Sequence, residues 1–203
     1  MKYSIKDNNL LLEITDETVD RTISKTKKII KLCDKNNYNL VLIYNGKEVK
    51  NKYPDNLKDI VMIRDAINIK NREDRYNFIY DTVCKILDDR IINENYCEFK
   101  DDVCIKFRNE DPTHKNGCCE WAGRGKCKYL KDSVCTMKTC MACKLFTCKF
   151  LEKEKGIKQN INDYVLTKYF LNKNQKYILE CSFWTPKEIV MKRLLENNYK
   201  IKE

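Results

Sequence analysis

Eight of the chain's twelve cysteines fall between Cys104 and Cys148, the residue type whose thiolate binds soft metal ions and attacks electrophiles. They are Cys104, Cys118, Cys119, Cys127, Cys135, Cys140, Cys143 and Cys148. At 203 residues the chain is long enough to bury an ordinary apolar core, so it does not depend on disulfides to fold. The first residues, Met1 to Asn8, contain no apolar run of the kind that forms a signal-peptide core, and no stretch approaches the roughly 20 apolar residues of a membrane span. The expectation is a cytoplasmic protein, where clustered cysteines serve as metal ligands or reactive thiols more often than as disulfides.

Spacing bears on which metal. Structural zinc is usually held by two close ligand pairs, and only Cys140 and Cys143 form a Cys-x-x-Cys. The intervals from Cys104 to Cys140 are 14, 1, 8, 8 and 5 residues, an irregular set that iron-sulfur ligation accommodates better than two zinc knuckles do. The single histidine, His114, excludes a finger that needs two, and reads as a loop residue. An iron-sulfur cluster is therefore the preferred expectation and zinc the second. Three of the five glycines, Gly117, Gly123 and Gly125, lie in the same segment, where tight turns can point backbone amides at sulfur.

The net charge of +10 would ordinarily invite a nucleic-acid partner, but the lysines are scattered and the 21 asparagines point to a broad compositional bias. Residues 101 to 150 carry ten Lys or Arg against six Asp or Glu, a balance of +4 that becomes −4 when eight thiols ionise. Lys126, Lys128, Lys131, Lys138, Lys144 and Lys149 accordingly read as counter-charge for thiolates.

The run Gly117-Cys118-Cys119, then Cys127-Lys128-Tyr129-Leu130, Cys135, and Cys143-Lys144-Leu145-Phe146-Thr147-Cys148 resembles the bacterial cysteine-rich proteins described as zinc- or iron-chelating domains. The flagellin lysine methylases are similar in the same region. The resemblance covers about 32 residues and implies metal or cluster binding by Cys118, Cys119, Cys127, Cys135, Cys143 and Cys148. It departs from the family pattern at Thr139-Cys140, where an Arg-Pro pair is common, and at Lys144 and Thr147, and it lacks a Cys-x-x-Cys before the double cysteine. Cys104 and Cys140 are the candidates to make up the ligand count. Methyltransferase activity does not carry over.

The elements that must position this segment lie on both sides of it. Residues 1–96 read as an N-terminal α+β region, 97–151 as a loop-rich metal-binding segment, and 152–203 as a mostly helical region packed on it, giving an α+β fold. Tyr3 to Ile5 and Leu10 to Ile14 predict a hairpin across Asp7-Asn8-Asn9, and Leu40 to Tyr44 a second one through Asn45-Gly46. A helix opening at Asp16 would bury Val19, Ile23, Thr26, Ile30 and Cys33. Two more carry the stripes Leu57, Ile60, Ile63, Ile67 and Tyr76, Ile79, Tyr80, Val83, Leu87. Cys84 and Cys97 border the second stripe and stay outside the metal set. After a polar turn at 152–156, Ile161, Tyr164, Val165, Tyr169 and Phe170 predict one helix. Thr185-Pro186 opens the last, turning Val190, Met191, Leu194 and Leu195 inward. Cys181 reads as a buried thiol.

Two other functions compete with a structural or electron-transferring metal site. One is an enzyme, either cluster-dependent like the lysine methylases or a thiol catalyst using Cys118 and Cys119 with Lys126 or Glu120; no phosphate loop, HExxH or serine triad supports a standard hydrolase. The other is a nucleic-acid module in which Arg108, Arg124, Lys126 and Lys128 meet phosphates while Trp121, Tyr129 or Phe146 stack on bases. An unidentified protein partner is compatible with any of the three.

Overall fold

The computed structural model describes residues 2–94 and 140–201, with four two-residue strand pieces at 99–100, 103–104, 130–131 and 134–135. The fold is α+β. Strands β1 (Lys2–Lys6) and β2 (Asn9–Ile14) form the expected hairpin, with Asp7 and Asn8 both at positive φ (46° and 62°), the conformation a two-residue primed turn requires and short polar side chains tolerate. Strict alternation on β2 then buries Leu10, Leu12 and Ile14.

From β2 the chain crosses over through a 3-10 turn (Asp16–Thr18) and helices α1 (Val19–Ile23) and α2 (Thr26–Asn36). It returns as β3 (Asn39–Tyr44), parallel to β2 with Leu10 opposite Leu40 and Leu12 opposite Leu42. The single helix expected here is broken at Ser24-Lys25, and the break re-phases the apolar stripe. Val19, Thr26 and Cys33 are buried as expected, but Thr22 and Ile29 are buried as well, while Ile23 and Ile30 are only half-buried. Asn37, at φ 53°, ends α2 by donating its amide to the Cys33 carbonyl.

Asn45-Gly46 turns β3 into the short β4 (Lys47–Glu48), giving the sheet order β1-β2-β3-β4. Beyond β4's reach, the Asn68 side chain accepts from the Leu40 amide (2.7 Å) and donates to the Leu40 carbonyl (3.0 Å). Helices α3 (Lys58–Asn68) and α4 (Arg72–Glu94), with Leu57 in the 3-10 turn just before α3, bury both expected stripes in full, and α3 packs on β3.

In the middle segment, β5 (Phe99–Lys100) pairs antiparallel with β6 (Val103–Cys104), and β7 (Leu130–Lys131) with β8 (Val134–Cys135). These short ladders have no periodicity long enough to read from sequence. Five helices follow: α5 (Met141–Leu145), α6 (Lys149–Glu154), α7 (Val165–Phe170), α8 (Lys173–Cys181) and α9 (Lys187–Glu196).

Three expectations are corrected here. The polar stretch 152–156 is mostly helix, ending at Gly156 (φ 64°). The helix expected across 161–170 is a 3-10 turn followed by α7, because Tyr164 between them is extended. Thr185 does not cap α9; its hydroxyl donates to the Phe183 carbonyl instead (3.2 Å).

One apolar core joins the two halves of the chain. Leu12, Leu42, Ile63, Tyr80 and Val83 belong to the same buried cluster as Met141, Leu166, Ile178, Val190 and Leu194. Gln175 stitches that cluster across three helices: its Nε2 donates to the Tyr76 hydroxyl (2.6 Å) and the Leu194 carbonyl (3.1 Å), and its Oε1 accepts from the Asn172 amide (3.0 Å). Among the described residues, no helix is long and apolar enough to cross a membrane.

Candidate metal centre

The Cys-x-x-Cys pair sits where α5 begins, between α4, α8 and the loop linking α8 to α9. The first amides of α5 are accounted for in a way that singles out one sulfur. Met141 donates its amide to the Tyr80 hydroxyl (3.2 Å) and Lys144 donates to the Cys140 carbonyl (3.2 Å). The amides of Ala142 and Cys143 are directed at Cys140 Sγ. No side-chain cap hydrogen bond closes on Cys140, so these amides act on its sulfur as oriented dipoles.

The third amide comes from far along the chain. Trp184, in the α8–α9 loop, also directs its N–H at Cys140, and Cys140 in its thiol form donates to the Ser182 carbonyl (3.6 Å). Trp184 adopts φ 54°, a left-handed conformation costly for a bulky residue, by about 1–2 kcal/mol. Such strain persists only where surrounding contacts enforce it. Arg193 supplies one by donating to Ser182 Oγ (3.1 Å), and Phe183 stacks between Trp184 and Phe146 at ring separations of 5.4 and 6.3 Å.

The electrostatic outcome is a stabilised thiolate inside the protein. Cys140 is 1% exposed, yet its pKa is pulled down to about 6. The main cause is a hydrogen bond from the Cys143 thiol; the three amides add to it and together outweigh burial, which acts the other way. Nearby Cys84, on α4, goes the other way: burial, helped by the charges of Asp88 and Asp81, pushes its thiol up to about 12, although Lys144 pulls in the opposite sense. Lys144 is itself buried, its side chain 2% exposed, with its ammonium 2.5 Å from the Asp88 carboxylate. Tyr80, Cys84 and Asp88 therefore form an i, i+4, i+8 row on α4 facing α5. Sequence reasoning passed over this row, although the spacing was there to read.

Of the expected ligands, the structure brings Cys140 and Cys143 together. Cys148 begins α6 and is buried in a different cluster, with Phe150, Leu151 and Ile157. Cys104 and Cys135 each end a short ladder, opposite Phe99 and Leu130 respectively. Cys118, Cys119 and Cys127, with Cys97, His114, Glu120 and Lys126 and the proposed phosphate-contacting and stacking residues Arg108, Arg124, Lys128, Trp121 and Tyr129, lie outside the described residues. Phe146 is described, and it packs edge-on against Phe183.

Among the described residues, no group of three or more His, Cys, Asp or Glu is placed to hold a metal ion. Cys181, expected to be buried, is partly exposed beside Tyr177, and Cys33 is fully buried as expected. Comparison of the chain with protein-family models, curated proteins and solved structures finds no match.

Proposed function

We propose that this is a metal-binding protein in which Cys140 and Cys143 supply two ligands of a cysteine-ligated site, the others being drawn from Cys104, Cys118, Cys119, Cys127, Cys135 and Cys148. The observation that carries the reading is the cradle around Cys140: a sulfur 1% exposed, faced by amides from two chain segments 41 residues apart, one of them held in strained backbone. A buried thiolate with fixed donors is prepared to coordinate a cation. It is poorly placed to attack an external substrate, which argues against a thiol catalyst at this pair.

The donor set fits either an iron-sulfur cluster or zinc, since both take thiolates whose sulfurs accept backbone amides. The irregular intervals between the remaining cysteines favour the cluster. Bound there, the group would supply either a structural cross-link between the start of α5 and the cysteines of the middle segment or a one-electron redox centre. The chain's own residues do the rest: amides of Ala142, Cys143 and Trp184 lower the charge density on sulfur, and Phe183 and Trp184 pack against the pair.

Anaerobic purification followed by iron, sulfide and zinc analysis tests this directly. Absorbance near ~400 nm that bleaches in air, with matching iron and sulfide, indicates a cluster. Stoichiometric zinc in colourless protein replaces the cluster with zinc. Protein that folds with neither metal, and takes up neither when supplied, removes the proposal.

A further inference from the structure

The outward face of α2 carries Lys27, Lys28, Lys31 and Lys35, all exposed. None of the four is in an ion pair among the described residues. The one acidic side chain on the helix, Asp34, is held by Arg75 through two contacts of 3.0 and 3.2 Å. Lys27, Lys31 and Lys35 follow an i, i+4, i+8 row, so successive ammonium groups advance about 6 Å along the helix, close to the separation of neighbouring phosphates in a nucleic-acid strand.

The row continues onto the next layer. α2 packs against α7, and Lys27 lies near enough to Lys176 of α8 to help lower its pKa, after burial and together with Lys168 of α7. Glu180 acts in the opposite sense on Lys176. The Lys176 ammonium is fixed in place, donating to Asn162 Oδ1 (2.7 Å) and to the Lys168 carbonyl (3.1 Å). Like charges crowded in this way are relieved by a polyanion. The apolar side of α2 is committed to the core, and no aromatic residue lies on the helix. That face is thus suited to a charged backbone rather than to insertion between lipid chains.

We propose that the α2 face, with Lys168 and Lys176, is a binding surface for the phosphate backbone of nucleic acid, contacted without reading of base sequence. It is separate from the cysteine site and stands whether or not that site holds metal.

The test is fluorescence anisotropy of the full-length protein, as purified, on a labelled 20-base-pair DNA duplex from about 50 to 200 mM salt. Two quadruple variants are compared: K27Q/K28Q/K31Q/K35Q, and K6Q/K47Q/K50Q/K52Q, which removes the same charge from exposed positions on and beside the sheet. Glutamine keeps good helix propensity, and circular dichroism checks the fold. The α2 variant should bind about 100-fold more weakly at physiological salt, and its log–log salt slope should be shallower by about 3 to 4, while the control stays within a few-fold of wild type. Equal losses in both variants would mean net charge alone is responsible and would overturn the assignment. So would absence of salt-sensitive binding, or binding to phosphatidylserine vesicles without binding to the duplex.

Discussion

Cys33 and Cys140 are both cut off from solvent, at 0% and 1% exposure, yet their thiols are driven in opposite directions. Cys33 lies on α2 within the β2–β3 crossover, where burial dominates and pushes its pKa up to about 11 despite the nearby charges of Lys70 and Arg75. Cys140 lies where three backbone amides and a neighbouring thiol converge, and falls to about 6. Depth alone therefore does not set the charge of a thiol. What separates the two regions is whether donors have been arranged around the sulfur.

The comparison breaks most decisively at the metal. If the proposed site holds metal, Cys140→Ser should abolish its binding and with it a contribution on the order of 10 kcal/mol, read as elemental content and denaturant midpoint, whereas Cys33→Ala should match the wild-type metal content. Metal retained at full stoichiometry in Cys140→Ser would show the cradle is not a ligand site.

The next effect is pH dependence after chelation. Between about pH 6 and 9 an unfolded Cys140 holds a proton that the folded one has released, so its contribution to stability rises with pH and is lost as pH falls through about 6. Cys33 works in reverse: its contribution is present below 9 and declines as pH rises toward 11. Thiolate ultraviolet absorbance, wild type minus each single variant, should place the two midpoints on opposite sides of 9.

Asp88→Asn probes the surroundings of Cys84, the second buried thiol. It leaves the Lys144 ammonium without its carboxylate and should cost about 2 kcal/mol in urea unfolding, discounted because Asp88 is about one-third exposed. The smallest expected effect is Cys33→Ala, about 1 kcal/mol for a small core cavity, with the metal site unchanged.

Where local pattern sufficed, the residues foretold the structure. Asn45-Gly46 announced its turn, and the stripes of α3 and α4 are buried position for position, because each depends on neighbours within a few residues. The break between α1 and α2 carried no glycine or proline to mark it. The cradle was hidden for a deeper reason: a Cys-x-x-Cys was visible, but its third amide arrives from Trp184, placed only when α8 and α9 dock through Gln175 and Arg193. Cys181 misled because an apolar run from Ile178 to Trp184 does not reveal that α8 ends there and turns its last thiol outward.

At the margin of the sheet, the Asn68 amide presents to Leu40 the same paired donor and acceptor that one peptide unit of an added strand would offer. A single side chain thus satisfies the exposed rung of β3 beyond the two residues of β4, making this border a poor template for another chain and limiting self-association there.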